Sequence, residues 1–342
     1  MPSAPGFLFE DEKTDANPLA DMTRLISQNP SNAERIKPFI GGDEILTDPQ
    51  QRHCRFVIDF YGVREHERQK WPDLLKLLEE KVYKLRRNGR LADLMPWEFE
   101  RDRPDLREKL KDLTRVLVFP SPCGHAVCAF VPRDTLVSNP HCVFTQEDFA
   151  FFALIQSRVH EVWARMFSSS LKDDLRYTPK TTFQTFPLPP QSGQQQELER
   201  VGKNYYQFRV QLMVKNNEGL TATYNRFHEA TERDPDIIKL RALHADMDRA
   251  VLQAYGWTDI KTECEFLLDY EIDADEWGDK KKPYRYHWSD DVREEVLARL
   301  LELNRERAKE EARSAATATK QRNRKSREKR ASRIVDSGDM FS

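Results

Sequence analysis

Between Asp148 and Pro190 the chain reads D-F-A-F-F-A-L-I-Q-S-R-V-H-E-V-W-A-R-M-F-S-S-S-L-K-D-D-L-R-Y-T-P-K-T-T-F-Q-T-F-P-L-P-P. Phe152, Ile155, Val159, Val162 and Met166 recur at spacings of 3, 4, 3 and 4, which is the repeat of one helix face. The spacing predicts one long helix with that stripe buried and with Arg158, Glu161 and Arg165 on the opposite side. Thr145 is the expected N-cap, with Asp148 at the third helical position in an aspartate version of the capping box. After Phe167 come a polar, cationic turn and then an extended aromatic-proline strap, which cannot continue the helix.

The length of 342 residues leaves room for about two domains. Hydrophobic residues make up 39% and charged residues 33%, so a core can form beneath a strongly ionic surface. The mean hydropathy is -0.76 and no apolar run approaches the length of a membrane span. The N-terminus, M-P-S-A-P-G-F-L-F-E-D-E-K, lacks the cationic start and apolar centre of a signal peptide. Five cysteines, an odd number in a chain of this size, fit a reducing cytoplasm. The net charge of -2 conceals a basic stretch at 320–333, with eight Lys/Arg and one Glu. Such a tail repels itself, is expected to be disordered and attracts polyanions.

Turn signals fill residues 1–50, with Asn-Pro at 17–18 and 29–30 and the Gly41-Gly42 pair, so they read as a linker wrapping onto a folded unit. R-F-V-I-D-F (55–60), R-V-L-V-F (115–119) and A-V-C-A-F-V (126–131) are strand-like, the last two joined by P-S-P-C-G-H. Pro72 opens a predicted helix to about Arg87, with Leu74, Leu78, Val82 and Leu85 on one face. Beyond a polar hinge at 191–197 the pattern is helical. Leu198, Val201, Tyr205, Phe208 and Leu212 share a face, a second helix runs from Asp234 to Tyr255 and stops at Gly256, and a third starts near Ser289. Val296, Leu300 and Leu303 mark the apolar side of that third helix. The expected class is α+β: a mixed α/β unit over 51–190, a helical unit over 191–312 and a disordered basic tail over 313–342.

Familiar catalytic patterns do not occur. No G-x-G exists among the 12 glycines, and the three Asn-Pro pairs continue with Leu19, Ser31 and His141. Neither a dinucleotide-type cofactor loop nor the Asn-Pro-Pro-aromatic motif of adenine methyltransferases is therefore written in the chain. Pro72-Asp73 with Glu79-Glu80-Lys81 imitates a nuclease signature but lies on one helix, whereas that chemistry needs converging carboxylates. Cys123, His125, Cys128, His141 and Cys142 are zinc-ligand types without a standard knuckle spacing. The acidic run Asp269, Glu271, Asp273, Asp275, Glu276 and Asp279 lacks the glycine and glutamate of an EF-hand loop. No metal site is expected.

Cations are a better guide. Lys81, Lys84, Arg86, Arg87 and Arg90 cluster at a helix end with no acid among them, which suits phosphate contacts. Complementing the helix dipole explains the same cluster without a ligand. The connection holding Ser121 and His125, and the turn holding Ser169, Lys172, Arg176 and Tyr177, place polar side chains on short supports suited to reading base edges.

Several strings resemble the C-terminal half of the MmeI-like (type IIL) restriction-modification enzymes. They are I-K-P-F-I-G-G-D-E-I-L (36–46), R-F-V-I-D-F (55–60), W-P-D-L-L-K-L-L-E-E-K-V (71–82), the 153–179 stretch and F-P-L-P (186–189), then N-N-E-G-L-T-A-T-Y-N-R-F-H (216–228) and L-H-A-D-M-D-R-A-V-L-Q-A-Y-G-W (243–257). The resemblance covers about residues 15–310. It implies a target recognition domain joined to a helical domain, which in complete members follow a nuclease region, a helical connector and an adenine-N6 methyltransferase domain. It carries over no catalytic residue, so this chain alone is expected to be inactive. S-adenosylmethionine is expected on a partner or missing methyltransferase domain, and double-stranded DNA is the expected ligand. A cytoplasmic, membrane-free DNA-recognition part is the reading taken forward. A stand-alone DNA-binding or regulatory protein, and a helical scaffold with an RNA-binding tail, stay open as alternatives.

Overall fold

The computed structural model describes residues 5–87, 89–171, 174–190, 195–268 and 284–336. β1 (Leu8–Phe9), α1 (Leu19–Gln28), β2 (Ile36–Ile40), α2 (Gly42–Thr47) and β3 (Arg55–Ile58) come first. Three short helices follow, α3 (Pro72–Leu78), α4 (Lys84–Arg86) and α5 (Pro104–Leu110). Next are β4 (Arg115–Phe119), β5 (Ala129–Pro132), β6 (Leu136–Val137), β7 (Cys142–Phe144), α6 (Phe149–Gln156), α7 (Arg158–Phe167), β8 (Ser169–Leu171) and β9 (Asp174–Arg176). The remainder is α8 (Gln195–Asn216), α9 (Leu220–Phe227), α10 (Pro235–Tyr255), β10 (Glu265–Leu268), β11 (Tyr284–His287) and α11 (Asp290–Asp336). Several small sheets among many helices make the fold α+β. None of the described helices is long and apolar enough to cross a membrane.

The first sheet has the order β1-β3-β2-β6, with β2 antiparallel to β3 and parallel to β6. Residues 1–50, expected as a linker, therefore supply two of its strands. Phe7, Phe9, Phe39, Val57 and Ile58 meet Trp71, Leu74, Leu78, Val82 and Phe99 in one buried cluster. The second sheet, β5-β4-β7, is antiparallel. Its central strand β4 is buried from Val116 to Phe119, which explains an uninterrupted apolar run where a half-exposed strand would alternate.

The second cluster does not end at residue 190. It joins Leu117, Phe119, Phe152 and Val159 to Tyr205, Leu212, Leu240, Val251, Val296 and Leu300. Gly202 explains how α8 comes so close to α6: a Cβ there would lie 2.1 Å from the Phe149 carbonyl oxygen. Arg209, fully buried on α8, donates to Gln156 Oε1 at 3.0 Å and to the Cys128 carbonyl at 2.7 Å, tying helix to sheet. This is the side predicted for Phe208, which is only half-buried.

Four expectations need correction. The long helix is two, because Ser157 is extended (φ -67°, ψ 156°) and caps α7 through its hydroxyl. The Asp248 carboxylate accepts the Arg158 N–H at 2.9 Å, so the first turn of α7 finds better acceptors than α6 would supply. The break re-aims α7: Arg158 is buried, Val162 is half-buried and Met166 is 59% exposed. Asp148, not Thr145, is the N-cap of α6, accepting the Phe151 N–H at 2.7 Å.

The Pro72 helix contains a π turn, Glu79–Tyr83. The extra residue per turn moves the inward position from Leu85, which is 63% exposed, to Arg86, which is buried. Finally, the basic tail expected as disordered continues α11 to Asp336. Charge pattern alone suggested disorder. Yet no glycine or proline occurs from Asp290 to Asp336, and Ala, Glu, Lys and Arg, all good helix formers, dominate it.

Candidate nucleic-acid interface

β8 and β9 form an antiparallel hairpin in which Ser169 faces Arg176 and Leu171 faces Asp174. Strand alternation sends Leu175 into the core and leaves Asp174 and Arg176 exposed on the other side. Leu175 is bound on both main-chain groups by Cys123, at 3.1 and 2.9 Å. The structure thus brings together the two segments singled out in the sequence, 121–125 and 168–178. Lys172 lies outside the described residues. Ser169 is exposed beside Arg176. Asp174 was not singled out, although its place two residues before Arg176 around an apolar Leu175 is the signal that finds it.

Three of the predicted base-reading residues are turned inward. Ser121 is fully buried, its N–H donated to His141 Nδ1 at 3.0 Å. Tyr177 is buried and stacked on Phe119 at 4.4 Å between ring centroids. Its hydroxyl donates to His160 Nε2 at 3.0 Å, because His160 Nδ1 must carry its proton to bond the Ile155 carbonyl. His125 accepts from Arg285 at Nδ1 (3.0 Å) and donates from Nε2 to Asn225 (2.9 Å), with its ring stacked on His228. Desolvation and the Arg285 charge lower its pKa to about 4, so the ring is neutral and committed to joining the β4–β5 connection to α9. Short polar connections look exposed in a sequence; these are covered by side chains from distant segments, His141 over Ser121, His160 and Phe119 over Tyr177, and Asn225 and Arg285 over His125.

The cationic cluster divides. Arg86 donates to the carbonyls of Met95 (3.1 Å) and Glu98 (2.8 Å), so it is a structural residue rather than a phosphate ligand. Lys81 donates to the Ala16 carbonyl at 3.1 Å, and Arg90 pairs with Glu100 at 2.7 Å. Lys84 and Arg87 are exposed.

Gly41 joins β2 to α2, which opens at Gly42, and such a strand–glycine–helix turn could hold an anionic cofactor group. The space is taken: an added Cβ at Gly41 would lie 2.4 Å from the Arg55 guanidinium, and at Gly42 3.0 Å from His141. Glu44 already accepts the Gly41 N–H at 3.0 Å. This turn does not fit S-adenosylmethionine. Cys123, Cys128 and Cys142 are buried thiols, each pushed up to about 12 by desolvation. No group of three or more His, Cys, Asp or Glu side chains is placed to hold a metal among the described residues. The acidic run at 269–279 lies outside them.

Comparison with known proteins completes this picture. DNA methyltransferase A of Bacillus subtilis (strain 168) is 22% identical over 255 residues, which cover 73% of this chain and 27% of that protein. The structure of the type IIL restriction-modification enzyme MmeI in complex with DNA matches 89% of this chain and 34% of its own, with a TM-score of 0.60 at 20% identity. The chain thus spans about a quarter to a third of the length of these relatives. The model of the MmeI target recognition domain matches residues 16–190, just over half of the sequence, and the chain belongs to that family.

Proposed function

We propose that this chain selects the DNA site for an adenine-N6 methyltransferase of a restriction-modification system, with the methyl-transfer chemistry and its S-adenosylmethionine carried by another region or a separate polypeptide. The observation that carries this reading is the β8–β9 hairpin, which exposes Asp174, Arg176 and Ser169 on a ribbon anchored in the core through Leu175. A two-stranded ribbon fits the major groove of B-form DNA. There Arg176 would donate a fork to guanine O6 and N7, Asp174 would accept from cytosine N4, and Ser169 would serve either role. Lys84 and Arg87 would contact phosphates, which position the duplex without reading it. The methyltransferase would then flip the adenine out of the stack.

The test is selection of bound duplexes from a random-sequence library by the full chain, without cofactor or partner. Enrichment of one short sequence is expected. Retention of DNA with no enriched sequence would show that the chain does not choose a site. Stoichiometric binding of S-adenosylmethionine by the chain alone would equally contradict the division of labour.

A further inference from the structure

A cleft lies where α7, β11 and α11 meet. Arg158, Glu161 and Arg165 of α7 line it, with Arg285, His287, Trp288 and Arg293 opposite. Four guanidinium groups and one carboxylate thus face a common space. Part of that charge is answered within the protein. Arg158 pairs with Asp248 at 2.7 Å, Arg165 with Glu161 at 2.9 Å, and Arg293 with Asp290 at 3.1 Å. Arg285 donates to the Gly124 carbonyl at 2.7 Å. The local field is strong enough to hold the Glu161 carboxyl at about 2: burial works upward, and Arg165, Arg285 and Arg158 outweigh it.

Two lining side chains are not answered. Trp288 is 0% and His287 9% exposed, and both Trp288 Nε1 and His287 Nε2 are buried without a hydrogen-bond partner. Buried polar atoms are ordinarily paired, and an orphan calls for a ligand. Their chemistry differs. The indole N–H can only donate. His287 Nδ1 lies 2.6 Å from the Trp288 carbonyl and donates there, the tautomer in which Nε2 is a bare acceptor. The missing group therefore supplies both an acceptor oxygen and a hydroxyl donor, inside a ring of cations. The inner part of the cleft is of small-ion size.

From this geometry we infer that the cleft is a binding site for a phosphate that keeps one P–O–H, either free hydrogenphosphate or the terminal group of a phosphate monoester. Trp288 donates to one oxygen, His287 accepts the phosphate hydroxyl, and the arginines bind the remaining oxygens. Water can accept from Trp288 and donate to His287, but it carries no charge to match the arginines around it. A sulfate or a DNA phosphodiester carries the charge but has no hydroxyl for His287. The site does not depend on the DNA-reading proposal, since its probe is not DNA.

The test uses the full chain labelled with ¹⁵N and titrated with inorganic phosphate at neutral pH. One of the six indole resonances, the one absent from Trp288→Phe, is expected to shift and saturate. Calorimetry should show phosphate binding weakened about tenfold or more in Trp288→Phe and in Arg293→Gln, the size expected for a hydrogen bond or ion contact to a charged ligand. Arg293 is half-buried on the first turn of α11, so its variant keeps the test open should the tryptophan variant misfold. Sulfate should bind several-fold more weakly than phosphate. A nucleoside 5′-monophosphate that shifts the same resonance at lower concentration assigns a monoester as the ligand, and one that does so only at higher concentration assigns the free ion. No shift of the Trp288 resonance at tens of millimolar phosphate would overturn the site. Equal affinity for sulfate would overturn the hydroxyl-bearing assignment.

Discussion

Asp248 accepts both the guanidinium and the main-chain N–H of Arg158, at 2.7 and 2.9 Å, with both side chains buried. Removing one partner of such a pair strands a buried charge. Asp248→Ala is therefore expected to cost about 3–5 kcal/mol in urea unfolding, while an exposed pair such as Arg24–Asp21 would cost roughly 0–1 kcal/mol. His160 gives a pH signature. Desolvation lowers its pKa from 6.5 to about 4, so below pH 6.5 the unfolded chain takes up a proton that the folded ring refuses. Stability from this residue is complete above pH 6.5 and drains away as pH falls towards 4. The melting temperature should drop between pH 7 and pH 5, and drop less in His160→Asn, as read by calorimetry. Neither residue's role is visible in the sequence. Arg158, Arg209 and Asp248 sit in ordinary helical strings, and only their partners, dozens of residues away, make them core.

At the scale of elements, most apolar periodicity was readable and the interruptions were not. α10 runs from its Asp234 cap to its Gly256 stop as the pattern predicts, Gly256 at φ 79° being a conformation that suits glycine. The α6/α7 break and the π turn at Glu79–Tyr83 escape periodicity because each is set by tertiary partners: Asp248 in one case, the carbonyls of Met95 and Glu98 in the other. The π turn makes a reversed pair of predictions. Leu85→Glu should change stability by no more than about 0.5 kcal/mol, as exposed sites do. Arg86→Ala should cost about 1–3 kcal/mol by leaving buried carbonyls unpaired. A single frame of α-helix through Arg87 predicts the opposite order. Likewise Gly202→Ala has no room against Phe149 and should cost about 1–3 kcal/mol or more through overpacking, seen as an earlier urea midpoint.

At the scale of the molecule, class and family were legible in strings from 36 to 257, whereas the layout of the core was not. The composition shift at 191–197 predicts a hinge between two units, but buried residues from Phe119 to Leu300 on either side of it form one cluster. The candidate interface was half legible. The 168–178 turn was located and Arg176 is exposed, but Ser121, His125 and Tyr177 are occupied by contacts that side chains from elsewhere in the chain provide. The central claim is that the β8–β9 ribbon reads sequence while surface cations supply affinity. Its most direct test is to measure the affinity of the full chain for its enriched duplex and for every single-base-pair variant, with and without Arg176→Ala. The expected result is that the variant loses about 1–3 kcal/mol on the enriched site and stops discriminating at one base pair, keeping its preferences elsewhere. A uniform loss across all duplexes, with every preference intact, would contradict it.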